Sequence, residues 1–143
     1  MSIVDPTRDV QEVIGLMVAY CWAIDGHDWD RLDDVFTPDA EAHLGRPLSG
    51  VPAIKERIRR ALEPLEASQH LVGSHQVRID GDRATARCYL HAQHVRQIAG
   101  ATRQYVVGGR YEDELVRTPA GWRIARRVLT VMWTAGDRAV LEP

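Results

Sequence analysis

Tyr20-Cys-Trp-Ala-Ile-Asp-Gly-His-Asp-Trp-Asp-Arg-Leu32 joins the end of one amphipathic helix to the start of a shorter one. Upstream of it, Val10, Val13, Ile14, Met17, Cys21 and Ile24 recur at intervals of three and four, the period of a helix with one apolar face. Asp5-Pro6 offers an N-cap followed by proline at the first helical position, and Gly26 offers a stop. Tyr20 and Asp25 flank the inner face near that stop. A carboxylate there is costly unless a partner compensates it. His70 and His94 are the candidates for that partner.

Working outward, Asp28 can cap a short helix with Trp29, Leu32, Val35 and Phe36 on its apolar side. Thr37-Pro38-Asp39 reads as its break, and residues 40–44 as a short strand. Ser49-Gly50-Val51-Pro52 opens a third helix with Ile54, Ile58, Ala61, Leu62 and Leu65 inward and a charged face in water. From Ala67 the period changes to two. Strands are expected at 68–79, 84–98, 102–117 and 122–134, joined by short turns that include Asp80-Gly81-Asp82 and Ala99-Gly100-Ala101. Residues 135–143 read as a tail. One α+β domain over 1–143 follows: a curved antiparallel sheet wrapped into a cone by three N-terminal helices, with a natural pocket inside.

Composition narrows the partners. With 45% apolar and 27% charged residues and a formal charge of -2, the chain gives no electrostatic reason to expect nucleic acid or an anionic membrane. Its longest apolar run, 14–24, is too short to span a bilayer, and Met1-Ser-Ile-Val-Asp-Pro lacks the pattern of a secretory signal. Cys21 and Cys88 make neither a disulfide framework nor a metal spacing and are expected as buried thiols in a cytoplasmic protein. Neither a metal nor a cofactor is expected.

Alternation sorts the strands. His70 and Val72 share a side with Ser74. Ala84, Ala86, Cys88, Leu90, Ala92 and His94 share one side of the next strand, and Arg87, Tyr89, His91 and Gln93 the other. Val107, Gly109, Tyr111 and Leu115 form a third row; Arg127, Leu129, Val131 and Trp133 form a fourth. The pocket wall is therefore expected to include Leu44, Val72, Ala92, Val107, Tyr111, Arg127 and Leu129. Each histidine alone reads equally well as a core histidine satisfied by backbone, but an inward Asp25 favours an Asp-His pair, which fixes an imidazole tautomer and raises its basicity. Tyr20 reads either as core packing or as pocket wall with a hydroxyl free to donate. Arg127 would stabilise negative charge if it faced inward, although Arg123-Ile-Ala-Arg126-Arg127 also suits a surface. His27, His43 and His75 are expected at the surface or rim. His91 and His94, three apart on a strand, point to opposite faces. Gly108-Gly109 suits close packing or a bulge.

Element order and three local stretches resemble the SnoaL-like members of the nuclear transport factor 2-like superfamily. Ile24-Asp25-Gly-His-Asp-Trp-Asp-Arg-Leu32 is similar to the first-helix boundary of scytalone dehydratase. Ser68-Gln69-His70-Leu-Val-Gly73 resembles the strand carrying one of that enzyme's catalytic histidines, and Ala92-Gln93-His94-Val-Arg96 falls where its second lies. Gly121-Trp122-Arg-Ile is similar to the opening of the final strand in many relatives. The resemblance departs at Ile24 and Leu44, which fall where scytalone dehydratase has tyrosines. Tyr20 five residues before Asp25 is closer to bile-acid 7α-dehydratase. Asp25 with His70 resembles the dyad of hexachlorocyclohexane dehydrochlorinase, where Arg127 would match a site arginine.

The resemblance implies a cofactor-independent lyase or isomerase acting on a hydrophobic, ring-containing small molecule. His70 would be the base, oriented by Asp25, with His94 or Tyr20 as the acid. The alternatives are a non-catalytic ligand-binding or oxygenase small-subunit-like module, or a polyketide cyclase. A homo-oligomer is also implied, a trimer first and a dimer second. The mixed apolar and polar outward rows, with Tyr89, Val95, Ile98 and Val106 beside Arg87, His91 and Gln93, suit such an interface.

Overall fold

The computed structural model describes residues 5–142. Helix α1 spans Pro6–Asp25, and the Asp5 carboxylate accepts the Thr7 N–H at 3.0 Å, as the N-cap reading requires. A 3-10 turn, Trp29–Asp34, follows, with Leu32 buried. Strand β1 is Phe36–His43, β2 is Pro47–Ser49, and helix α2 is Val51–Leu62. The four long strands are β3 (Ala67–Asp80), β4 (Arg83–Ile98), β5 (Ala101–Thr118) and β6 (Gly121–Gly136).

These strands form one six-stranded sheet in the order β2-β1-β6-β5-β4-β3. The hairpins β3-β4, β4-β5 and β5-β6 are antiparallel as expected, but β1 joins β6 in parallel, so the sheet is mixed. Thr37-Pro38-Asp39 does not break the chain; it lies within β1. Pairing with β6 is interrupted between Phe36 and Glu41, so Pro38 sits where its missing N–H leaves no ladder bond unmade. The expected tail is folded as far as residue 141, and residue 143 lies outside the described residues. Residues 135 and 136 finish β6, and a second 3-10 turn, Arg138–Leu141, buries Val140 completely.

Helices α1 and α2 lie on one face of the sheet and bury Val13, Met17, Ile24, Ile54 and Ile58 against its inner rows. Removing this apolar surface from water is the main stabilising term. One polar clamp fixes the start of α1. Asp9 accepts two hydrogen bonds from Arg117, both 2.9 Å, and one from the Trp122 indole at 3.1 Å. The Arg117 guanidinium also stacks over the Trp122 ring.

Irregularities in the strands decide which side chains point inward. Pairing of β3 with β4 shifts between Gly73 and Gln76, where Ser74 has φ 55°. Ser74 is consequently exposed, not aligned with His70, while His75, Val77 and Ile79 take over the half-buried side. His75 is thus half-buried and not at the surface, and burial lowers its pKa. In β6 a shift beside Ile124 brings Arg127 inward, and another beside Met132 turns Trp133 to the outer face. Trp133 covers Gly108, where a Cβ would lie 2.1 Å from the indole ring. Gly108 thus admits close packing.

Candidate active site

Asp25 is the last residue of α1, at the end of the helix where unpaired carbonyls already disfavour negative charge. Three donors from β3 compensate it. The Ser68 hydroxyl donates to Asp25 Oδ1 at 2.8 Å and the His70 backbone N–H to Oδ2 at 2.8 Å; His70 Nδ1 lies 2.6 Å from Oδ1. Burial alone would raise the Asp25 pKa, but the His70 ring and backbone bonds and then Ser68 outweigh it and lower it. Beside this carboxylate the tautomer with the proton on Nδ1 is favoured, and in that form Nε2 is the acceptor. Ser68 sits two residues before His70 on the same strand face. That period-two relation was the signal that sequence reasoning passed over.

The His94 ring stands nearly perpendicular to that of His70, with centroids 5.6 Å apart. Its Nδ1 donates to the Tyr105 carbonyl at 3.0 Å. Burial lowers the His94 pKa, the Tyr105 bond opposes this, and His70 adds to the lowering. Burial thus favours the neutral form of His94, in which Nε2 is an acceptor.

Both histidines line a cavity of about 670 Å³. Leu44, Ala92, Val107, Tyr111 and Leu129 form part of its wall, as does Tyr20. Val72 and Arg127 do not line it. Val72 falls outside the lined surface, and Arg127 is drawn beneath it by a partner absent from the sequence reading. That partner is the buried Asp113, which accepts from Arg127 Nε at 2.8 Å and Nη2 at 2.7 Å. The guanidinium lies between two rings, 4.4 Å from the centroid of Tyr20 and 4.0 Å from that of Tyr111. The tyrosines meet edge to face at 5.7 Å. Burial raises the pKa of both phenols, so each stays protonated as a donor. The thiols take no part: burial pushes Cys21 up to about 12 and Cys88 to about 11.

Among the described residues no group of three or more His, Cys, Asp and Glu is placed to hold a metal ion, and no helix is long and apolar enough to cross a membrane. A larger open groove of about 810 Å³ is walled by Arg87, Glu112, Glu114 and Arg126, reaches Asp113, and contains none of Tyr20, Asp25, His70, His94 and Tyr111. The smaller cavity joins apolar walls to His70, His94, Tyr20 and Tyr111, residue types that general acid/base chemistry uses.

The fold is similar to that of a nuclear transport factor 2-like superfamily protein from Salmonella enterica, at a TM-score of 0.79 and 20% identity, covering 89% of this chain and 93% of that one. Residues 5–128 match the SnoaL-like domain, and the chain belongs to that family. It is 41% identical over 135 residues to the uncharacterized protein Rv2910c of Mycobacterium tuberculosis, covering 91% of this chain and 90% of that one. The crystal structure of Kfla4162 from Kribbella flavida is similar at a TM-score of 0.86 and 26% identity, covering 96% of this chain and 98% of that one. A hexachlorocyclohexane dehydrochlorinase (LinA) type 2 superimposes at a TM-score of 0.76 with 12% identity, covering 92% and 88%; that likeness is one of fold alone.

Proposed function

We propose that the chain is a cofactor-independent lyase or isomerase that removes a proton next to a carbonyl in a hydrophobic, ring-containing molecule. The observation that carries this is the His70 ring, held by a triply hydrogen-bonded Asp25 at 2.6 Å while lining the cavity. His70 Nε2 takes the proton, and the Asp25 carboxylate stabilises the resulting imidazolium. The charge that develops on the carbonyl oxygen is met by the Tyr20 and Tyr111 hydroxyls, the protonated donors of the wall.

In this reading His94 takes the part of a hydrogen-bond acceptor, with Tyr20 as the donor of the expected pair. A neutral imidazole that already gives its Nδ1 proton to Tyr105 accepts a hydrogen bond, so it orients a substrate hydroxyl. The imidazolium of His70 then returns its proton to that hydroxyl, which leaves as water, or to another ring carbon, which completes an isomerisation. Either way the proton taken from carbon is accounted for.

The test is incubation with a panel of ring compounds bearing a hydroxyl β to a carbonyl, in deuterated water, followed by mass spectrometry. The expected result is loss of water, or deuterium entering the ring, that depends on both His70 and Asp25. Turnover that persists in His70→Ala would remove the base from this account.

Self-association belongs to the same proposal. The outer sheet face exposes Leu71, Tyr89 and Trp133, with His91 against the Trp133 ring at 5.6 Å. A trimer, or failing that a dimer, covering this face should appear in light scattering across a dilution series. A species near 16.1 kDa at every concentration would contradict it.

A further inference from the structure

Among the described residues the cavity wall carries one arginine with no carboxylate in ion-pair contact. Inside, Arg127 is neutralised by Asp113. At the rim, Arg138 faces Glu142 at 3.9 Å. Arg57 is different. On α2 its neighbours are all matched: Lys55 with Asp33 at 2.7 Å, Arg60 with Glu56 at 2.8 Å, and Arg59 with Glu56 and Glu63. Arg57 is half-buried and turned to the cavity, and among the described residues it has no carboxylate partner. Its Nε donates to the Leu44 carbonyl at 3.1 Å, which fixes the guanidinium against the turn at Gly45 and leaves the terminal nitrogens to other acceptors. A Cβ at Gly45 would come within 3.0 Å of Nη2, and the backbone there has φ 78°. Glycine thus lets the turn approach the guanidinium where a side chain would crowd it.

A half-buried cation without a partner is costly. Burial lowers the Arg57 pKa, and the charge of nearby Arg46 adds to the lowering. In a chain of formal charge -2, Arg57 at the cavity and nearby Arg46 form a local positive pole. We propose that Arg57, supported by Arg46, binds an anionic group of the ligand, a carboxylate or a phosphate, while the ring body occupies the apolar interior beside His70. This rests on the reading of the cavity as a ligand site and narrows the substrate class to ring compounds carrying an anionic arm. Arg57 acts here as a specificity residue, remote from the reacting carbon, and a planar guanidinium suits both anions through paired N–H donors.

Two fluorescent probes with the same rings separate charge from burial: anilinonaphthalene sulfonate and the neutral phenyl-naphthylamine. The protein should bind the sulfonate more tightly than the neutral probe. Arg57→Met should weaken the sulfonate by about tenfold to a hundredfold, the scale of a hydrogen bond to a charged group, and the neutral probe by less than about threefold. Arg57→Lys should keep most of the sulfonate affinity. Ala61→Trp, which narrows the cavity, should weaken both probes. Preferential displacement of the sulfonate by naphthoate assigns a carboxylate, and by naphthyl phosphate a phosphate. Equal displacement by naphthyl methanol, equal losses of both probes in Arg57→Met, or full sulfonate binding in Ala61→Trp would overturn the proposal. The probes are bound and not turned over, so their affinities report anion recognition independently of any turnover by His70 and Asp25. A failure of the acid/base chemistry would therefore be distinguishable from a failure of anion recognition.

Discussion

His70→Ala and Asp25→Asn should each lower turnover by about two to four orders of magnitude, the usual scale for loss of a general base. The double variant should be little slower than the slower single one, because the two residues act as a unit. The reasoning starts from the placement of Asp25. A carboxylate at the end of a helix gains nothing from the helix, and here it receives the Ser68 hydroxyl and two hydrogen-bonding groups of His70 instead. Asn in its place can still accept from the backbone, but it cannot stabilise an imidazolium or hold the Nδ1-protonated tautomer as firmly. Ser68→Ala should cost less than either, since it removes one of three donors and leaves the pair intact. Steady-state kinetics on the substrate found by the deuterium panel measures all four variants. Additive losses in the double variant would mean independent roles.

Asp113→Ala should destabilise the fold by about 3–5 kcal/mol, the cost of leaving a buried charge without its partner. Both side chains of the Asp113–Arg127 pair are fully buried, and the guanidinium is enclosed by Tyr20 and Tyr111. Its Nη1 already lacks a hydrogen-bond partner, so nothing in the surroundings takes up the charge once Asp113 is gone. Against a total of about 5–15 kcal/mol for a domain, such a loss is a large share. Exchanging both residues for apolar ones of similar size, Asp113→Leu with Arg127→Met, should recover much of it, because the desolvation cost disappears with the charges. Urea unfolding monitored by tryptophan fluorescence gives the comparison. If the single variant unfolds at the same midpoint as the parent protein, the pair is not the buttress described here.

The same pair shows where sequence reading stops. Arg127 closes a run containing Arg123 and Arg126, which locally resembles a solvated face; only the shift beside Ile124 turns it inward to meet a residue fourteen positions earlier. Asp113 lies two residues beyond Tyr111 on the same row, so its inward direction was legible, but its partner was not. Elsewhere local chemistry carried far. The Asp5 cap, the three-and-four spacing of α1 and the period-two rows of the long strands place Asp25, His70 and His94 in one region without any knowledge of distances. What defeated the reading were features that spacing does not encode. Ser74 and Trp133 face opposite to the alternation because their strands shift register. Thr37-Pro38-Asp39 belongs to β1 because pairing is interrupted around the proline. Val140 is anchored by tertiary burial, which nothing in a short polar C-terminal segment announces.

The account turns on one proton. Long-range proton–nitrogen correlation spectra of uniformly nitrogen-labelled protein report which ring nitrogen of His70 is protonated, with His70→Ala giving the assignment. The expected result near neutral pH is protonation at Nδ1, with Nε2 showing the shift of an unprotonated acceptor, and weakening of the Nδ1–H signal in Asp25→Asn. A neutral His70 protonated at Nε2, with Nδ1 as the acceptor, would contradict the account, because the nitrogen facing the cavity could then not receive a proton.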